Sequence, residues 1–109
     1  KETLADLVSL NQRLITIEQI QKITAGYYKI RVSDILSAKR DKKTTLPRHV
    51  AMAICKELTN NSLPSIGDAF GGRDHTTVLH ANRKLNKLRK EDSQVEQDYN
   101  NIIHILNNG

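Results

Sequence analysis

The stretch GGRDHTTVLHANRKL, residues 71–85, decides the fold of this chain. It opens with two glycines, which suit a sharp turn, and continues with the polar residues DHTT, residues 74–77, at the start of a predicted helix. Aspartate and threonine are weak helix formers. They are therefore expected to cap the helix, to form a binding site, or to do both. The helix is predicted to run from Asp74 to about Lys90.

A shorter helix is predicted just before it, in SLPSIGDAFGGRD, residues 62–74. Pro64 suits its first turn, and Gly71 and Gly72 suit its end. Its inward residues are predicted to be Ile66, Ala69 and Phe70. Two helices joined by a three-residue turn that contains glycine are typical of a helix-turn-helix.

The longer helix has two distinct faces at helical spacing. The apolar face carries Val78, Ala81, Leu85 and Leu88, and the opposite, polar face carries Thr76, His80, Arg83, Lys84 and Lys87. One face is expected to pack on the protein and the other to meet a partner. In helix-turn-helix proteins the N-terminal residues of the second helix reach base edges in the major groove, which is the position of residues 74–77.

The rest of the chain also shows helical spacing and no strand alternation, which predicts an all-α fold. An amphipathic helix is predicted over residues 3–14. A second follows the Thr16 and Gln19 capping box, with Ile17, Ile20, Ile23 and Tyr27 facing inward. Later elements are a short turn capped by Ser33, an exposed basic loop over residues 38–45, a helix from Pro47 to about Asn60, and a last helix capped by Ser93 and Glu96.

The positive charge is concentrated in the middle of the chain. The net charge is +1 over residues 1–37, +7 over residues 38–91 and −3 over residues 92–109, which gives +5 for the 109 residues. Such a distribution indicates a basic face for a polyanion, although a solvated lysine-rich surface would give the same totals. The length suits one domain. The chain begins with Lys1 and is expected to be a piece of a longer cytosolic protein, because it has no signal-peptide pattern and no apolar run that could span a membrane.

Other kinds of site are disfavoured. Cys55 is the single cysteine, so a disulfide within the chain is excluded. It is expected to pack in the core. His75 and His80 lie about 140° apart around the helix, so they cannot chelate one metal ion. The sequence has no recognisable nucleophile motif and no phosphate-binding loop of the P-loop type, so no catalytic residue, metal or cofactor is expected. The four aromatic residues, Tyr27, Tyr28, Phe70 and Tyr99, lie at core-facing positions, which favours duplex DNA over single-stranded RNA.

The stretch LPSIGDAFGGRDHTTVLHA, residues 63–81, resembles the signature of the C-terminal DNA-binding domain of the bacterial replication initiator DnaA, and PRHVAMAICKELTNNSLP, residues 47–64, resembles that family too. The resemblance covers about residues 14–107. It implies a compact bundle of six to seven helices with a helix-turn-helix of the Trp-repressor kind. It also implies binding to asymmetric DnaA boxes at the replication origin, an upstream AAA+ ATPase domain in the intact protein, and a boundary at which residues 1–13 form a connector helix before a domain over residues 14–109.

Site residues follow from the resemblance by position. Asp74, His75, Thr76 and Pro64 match the family's major-groove base readers, and Arg40 matches its minor-groove arginine. The expected phosphate contacts are Lys39, Lys42, Lys43, Arg48, His49, Lys56, Leu63, Thr77, His80 and Lys84. Two departures put nearby phosphate contacts in question: His49 replaces a usual glutamine, and Asp41 adds an acid to the basic loop.

Two functions from different classes agree with these features. The first is a monomeric, sequence-specific binder of double-stranded DNA, acting at the nucleoid and meeting other initiator protomers through upstream domains. The second is a helical adaptor that binds an acidic protein through the same basic region. A preference for one DNA sequence over a scrambled one distinguishes them, because an adaptor has no reason to read bases.

Overall fold

Six α-helices follow one another along residues 15–108, the part of the chain that the computed structural model describes. They are α1 Ile17–Tyr28, α2 Val32–Leu36, α3 Lys42–Leu58, α4 Leu63–Ala69, α5 His75–Glu91 and α6 Ser93–Asn108. The prediction of an all-α bundle with a helix-turn-helix is confirmed. The helix predicted over residues 3–14 lies outside the described residues.

The first helix begins and ends at clear local signals. The Thr16 hydroxyl accepts a hydrogen bond from the Gln19 backbone N–H at 3.1 Å, as its capping pattern predicted. The helix ends at Lys29, whose backbone is left-handed with φ 60°. The N–H of Ile30 then donates to the carbonyl of Ala25, which closes the last turn.

The central helix α3 starts five residues earlier than predicted. Its first turn is anchored at Asp41, whose carbonyl accepts from the backbone N–H groups of Thr44 and Thr45. Pro47 lies inside the helix rather than at its start, and both Pro47 and Thr44 are buried. A proline this near the N-terminus removes a single intrahelical hydrogen bond, and burial of this turn compensates for that loss. The exposed basic loop is therefore shorter than the predicted residues 38–45.

Two other helices begin at caps that the sequence did not single out. Helix α2 is capped at Arg31 and not at Ser33 as predicted. The Arg31 backbone N–H donates to the Asp34 carboxylate at 3.1 Å. At the start of α6 the Asp92 carboxylate accepts from the Gln94 N–H at 3.0 Å. The predicted capping box of Ser93 and Glu96 was wrong, because Glu96 instead pairs with a side chain of α5.

The core surrounds α3, which packs against α1, α5 and, at its ends, α2 and α4. Its main members have less than a tenth of their surface exposed: Ile17, Ile20, Ala25, Ile35, Val50, Ala51, Met52, Ala53, Ile54, Cys55, Ile66, Phe70, Val78, Ala81, Leu85, Val95, Tyr99, Ile102 and Leu106. The buried Asp98 joins α6 to α1, because its carboxylate accepts from the hydroxyls of Tyr27 at 2.8 Å and Tyr28 at 3.2 Å. This core packs α5 against α3, and that packing determines which residues of α5 are exposed at the surface. None of the described helices is long and apolar enough to cross a membrane.

Candidate nucleic-acid interface

The helix-turn-helix consists of α4, a short turn and α5. Phe70 closes α4 and Asp74 caps α5, so three residues lie between the two caps, as predicted. Gly71 and Gly72 have φ values of +80° and +76°, a backbone conformation that other residues rarely adopt. The two glycines reverse the chain within one turn and aim the N-terminus of α5 away from the core.

Gly67 lets α4 lie directly against this turn. A Cβ atom at Gly67 would come within 2.0 Å of the carbonyl oxygen of Arg73, which is backbone and cannot rotate away. The N–H of Arg73 donates to the Gly67 carbonyl at 2.9 Å. The position of α5 relative to α4 therefore depends on a glycine at residue 67, because any other residue would place a Cβ atom there.

The first turn of α5 is ordered by its cap. One carboxylate oxygen of Asp74 accepts from the N–H of Thr77 at 2.9 Å and from its hydroxyl at 3.0 Å. These hydrogen bonds, the backbone one foremost, lower the pKa of Asp74, so its side chain is ionised at neutral pH. His75 and Thr76 lie between these two residues and are exposed. Asp74 thus caps the helix and remains on the same exposed surface as its neighbours.

The two faces of α5 are arranged as their spacing predicted. Val78, Ala81 and Leu85 are buried, whereas His80 and Lys84 are exposed one and two turns beyond Thr76. The exposed residues continue the line that starts at the N-terminus of the helix. An anion lying along this line would meet positive charge and the positive end of the helix dipole together.

A cavity of about 380 Å³ lies beside that line, between α3 and α5. Lys42, His49 and Lys84 contribute to its wall, so the structure brings together three of the residues expected to contact phosphate. His49 is half-buried. Its burial, with the neighbouring positive charges of Lys84, Arg48 and Arg73, lowers its pKa to about 4, so the ring is neutral at neutral pH. His49 can therefore offer a hydrogen bond there but no charge.

Arg48 is buried, whereas a side chain that binds a DNA phosphate has to be exposed. Its side chain is only 4% exposed, and its guanidinium donates to backbone carbonyls at the end of α2. Its Nε donates to Ile35 at 2.7 Å, and its Nη2 donates to Ser37 at 2.9 Å and to Asp34 at 3.3 Å. Burial, and then the nearby Arg73, lower the pKa of Arg48. Arg48 therefore has a structural role, since these carbonyls would otherwise lack donors, and its burial disfavours the phosphate contact that the resemblance implies.

The basic loop connects α2 to α3 and is exposed over residues 38–41. Arg40 lies at its centre. Lys39 forms an ion pair with Asp34 at 3.1 Å while most of its side chain stays in solvent. Lys42 and Lys43, predicted as loop residues, are exposed in the first turn of α3. The loop proper therefore offers Lys39 and Arg40 as its cations.

The remaining predicted site residues lie farther along the chain. Lys56 is exposed in the last turn of α3, about 21 Å along the helix axis from Lys42 at 1.5 Å per residue. Leu63 and Pro64 form the first turn of α4, where Pro64 is exposed and Leu63 is partly buried. The Ser62 hydroxyl caps this turn by accepting from the Ser65 N–H at 3.3 Å. These residues flank the helix-turn-helix at the end of α4 that is remote from α5.

Cys55 is fully buried, as expected, and burial raises the pKa of its thiol to about 12. Over residues 15–108, no three residues among His, Cys, Asp and Glu gather closely enough to hold a metal ion.

The comparison with known families bears on this surface directly. A family model described as the bacterial dnaA protein helix-turn-helix matches residues 17–85, which include α1 to α4 and the first eleven residues of α5. The chain belongs to this family. The domain is accordingly a DNA-binding one that works with double-stranded DNA in the initiation of replication, and the domain itself is not catalytic.

Two residues of this dnaA helix-turn-helix were missed by the sequence reasoning. Arg73 lies within residues 71–85 without a local signal of its role, although its Nη2 donates to the Ser37 carbonyl at 2.5 Å and its Nη1 to that of Phe70. Gly67 was not distinguished from other small residues. No local pattern identifies either, because both act on backbone atoms that the fold brings close.

Proposed function

We propose that this domain binds an asymmetric DnaA box in duplex DNA as a monomer, with the N-terminus of α5 in the major groove and Arg40 in the adjacent minor groove. The observation that carries the proposal is the start of α5. There Asp74, His75 and Thr76 are exposed beside one another on a helix end that a cap holds in place. Recognition helices present base-reading residues from this position.

Each residue of that turn has chemistry suited to a base edge. A carboxylate accepts from cytosine N4, an imidazole N–H donates to a purine acceptor, and the threonine methyl group contacts the thymine methyl. Asp74, His75 and Thr76 are the proposed readers, together with Pro64 in the first turn of α4. The Thr77 hydroxyl donates to Asp74 in the free domain, so the proposed phosphate contact of Thr77 requires this hydroxyl to rotate and donate to the phosphate, while the Thr77 backbone N–H keeps the cap.

The remaining phosphate contacts are proposed for exposed or partly exposed side chains of the basic loop, α3, α4 and α5. On this proposal they are Lys39, Lys42, Lys43, His49, Lys56, Leu63, His80 and Lys84. The lysines attract the DNA phosphates electrostatically, whereas His49, His80 and Leu63 contribute hydrogen bonds or van der Waals contact. Affinity for any duplex comes from the lysines, and sequence preference comes from α5.

The proposed minor-groove arm is the loop of residues 38–40, and it is proposed because Arg40 is exposed there. This loop is three residues long between Ser37 and Asp41, and all three residues are exposed. An A·T-rich step narrows the minor groove and makes its potential more negative, which favours an inserted arginine. Lys39, Lys42 and Lys43 are proposed to follow phosphates instead.

In the intact protein we propose that residues 1–13 connect this domain to an AAA+ ATPase domain, with residues 14–109 forming the DNA-binding domain. Other initiator protomers would then meet through the upstream region while each helix-turn-helix binds its own box. The proposal places the protein in the cytoplasm at the nucleoid.

A titration at several salt concentrations tests this function. A DnaA box and a scrambled duplex are each bound to the wild type, Thr76→Ala and Lys84→Ala. Thr76→Ala is expected to remove about 1 to 3 kcal/mol from the box alone, and Lys84→Ala to weaken both duplexes and reduce the slope of log K against log salt by about 0.9. Equal binding of box and scrambled DNA by the wild type would instead favour the adaptor function.

The minor-groove arm needs its own comparison. Arg40→Ala and Lys42→Ala are each measured, at one salt concentration, on a box with an A·T-rich end and on one with a G·C-rich end. Arg40→Ala is expected to lose more on the A·T-rich duplex, whereas Lys42→Ala loses equally on both. Identical behaviour of the two variants would remove the minor-groove role.

A further inference from the structure

The C-terminal end of α2 is bound by two arginines from different elements. Arg48 reaches it from α3, and Arg73 reaches it from the turn of the helix-turn-helix. Both donate to the same acceptor, the carbonyl oxygen of Ser37, at 2.9 Å from Arg48 and 2.5 Å from Arg73. A single backbone atom thus connects three elements that are distant in sequence.

That shared carbonyl lies between the two proposed DNA-reading elements. Arg73 immediately precedes Asp74, the cap of α5. Ser37 lies three residues before Arg40, so a trans backbone can place the two Cα atoms at most about 10 Å apart. The connection from α5 to Arg40 therefore consists of the Arg73 side chain and the three residues that follow Ser37.

The other end of the loop is also anchored. Asp41 begins α3 by accepting two backbone hydrogen bonds through its carbonyl. Ser37 is further held by its own hydroxyl, which donates to the Asp34 carbonyl at 2.6 Å. Only residues 38–40 lie between these two anchors, so the position of Arg40 follows the position of Ser37.

The turn approaches α2 closely enough to need a glycine. A Cβ atom at Gly71 would come within 2.5 Å of the Leu36 carbonyl oxygen and 3.0 Å of the Arg73 Nη1. The contact between turn and α2 is therefore tight at two neighbouring positions, by backbone packing at Gly71 and by the guanidinium at Arg73. Such a contact transmits a displacement of either element to the other.

We propose that Arg73 is a positioning residue, which holds the minor-groove arm in register with the recognition helix through the Ser37 carbonyl. The proposal rests on the proposed function, since it assumes that Arg40 and α5 read adjacent grooves. The planar guanidinium suits this role because it donates to Phe70 and Ser37 with two separate nitrogens. A lysine has the same charge but offers its three N–H donors from one rotatable nitrogen, so it cannot hold both carbonyls at the fixed spacing of the guanidinium nitrogens.

The test compares Arg73→Lys and Arg73→Ala with the wild type, alone and combined with Arg40→Ala. Binding to an A·T-ended box and to a scrambled duplex is measured across salt concentrations. Lys22→Ala, which removes an exposed charge from α1, is the matched control for net charge. Helical circular dichroism at the binding temperature reports whether each variant is folded.

Positioning predicts that Arg73→Lys weakens the box about threefold to a hundredfold, leaves scrambled binding and the salt slope unchanged, and reduces the effect of Arg40→Ala. A phosphate contact would instead survive in Arg73→Lys. In Arg73→Ala it would lower the slope by about 0.9 and add to the effect of Arg40→Ala, and that result would overturn the proposal.

Two further outcomes also count against it. Wild-type affinity in Arg73→Lys would mean that the bridge has no influence on binding, and loss of helical structure in both Arg73 variants would make the residue a requirement of folding rather than of register. Failure of the underlying function is distinct: there Arg40→Ala and Thr76→Ala have no effect on the box in the wild-type background.

Discussion

Gly67→Ala is expected to destabilise the domain although it adds one methyl group to a helix. The new Cβ would lie 2.0 Å from the Arg73 carbonyl oxygen, whereas even tight Cβ contacts are no shorter than 3.0 Å, so α4 and the turn must separate by about 1 Å. Overpacking of this kind is unfavourable by about 1 to 3 kcal/mol, and the hydrogen bond from Arg73 to Gly67 is worth about 1 kcal/mol more. The better helix propensity of alanine offsets about 1 kcal/mol.

The net loss in free energy of unfolding is therefore about 2 kcal/mol, which lowers Tm by about 8 to 16 °C in a domain of this size. Gly26→Ala is the matched control, because a Cβ atom at Gly26, also helical, would meet nothing within 4 Å. The same substitution there is expected to raise stability by about 0.5 to 1 kcal/mol. Urea titration and thermal melts followed by circular dichroism measure both.

Displacement of α4 also moves the platform on which α5 rests. At a temperature where the variant is fully folded, Gly67→Ala is expected to lose more affinity for a DnaA box than for scrambled DNA, because base contacts tolerate misplacement less than phosphate contacts do. A Gly67→Ala protein as stable as the wild type would refute the reasoning, since it would mean that the backbone separates at no measurable cost.

Three other predictions concern single side chains. The folded pKa of His49, about 4, lies below the ordinary value of 6.5, so its contribution to stability is complete above pH 6.5 and is lost as pH falls towards 4. After allowance for solvent screening the loss is about 1 to 2 kcal/mol; it should be absent from the stability curve of His49→Gln and should therefore appear in the difference between the wild-type and variant curves. Asp74→Ala should lower the free energy of unfolding measured in urea, because it removes the helix cap, whereas Asp74→Asn, which still caps, should not; equal losses would exclude the cap. Arg48→Met should lower stability by about 2 kcal/mol and leave the salt slope of DNA binding at its wild-type value, while a flatter slope would restore Arg48 as a phosphate ligand.

Periodicity and local signals were sufficient for most of the secondary structure. Thr16 and Asp74 both form the caps that their positions indicated. Such caps involve atoms three residues apart, so the sequence contains all the information that they need. The exposed polar face of α5 follows from helical spacing in the same way.

Errors occurred where a local signal had a competitor. Pro47 is a favoured first residue of a helix, yet the turn before it is helical because Thr44 and Pro47 are buried together. Glu96 had the spacing of a capping box, but the Arg89 side chain on α5 takes its carboxylate. In both cases a contact made only in the folded chain outweighed a preference of about 1 kcal/mol.

The sequence by itself therefore determined the helices, the helix-turn-helix and the group of residues presented at the start of α5. Only the tertiary structure decided what holds that surface in place. The basic pattern gave Arg48 the same weight as Lys84, but the fold buries one and exposes the other. Charge along a chain is a local property, whereas access to solvent and the partners of a guanidinium depend on backbone atoms from elements more than ten residues away, as the carbonyl of Ser37 is from both of its arginines.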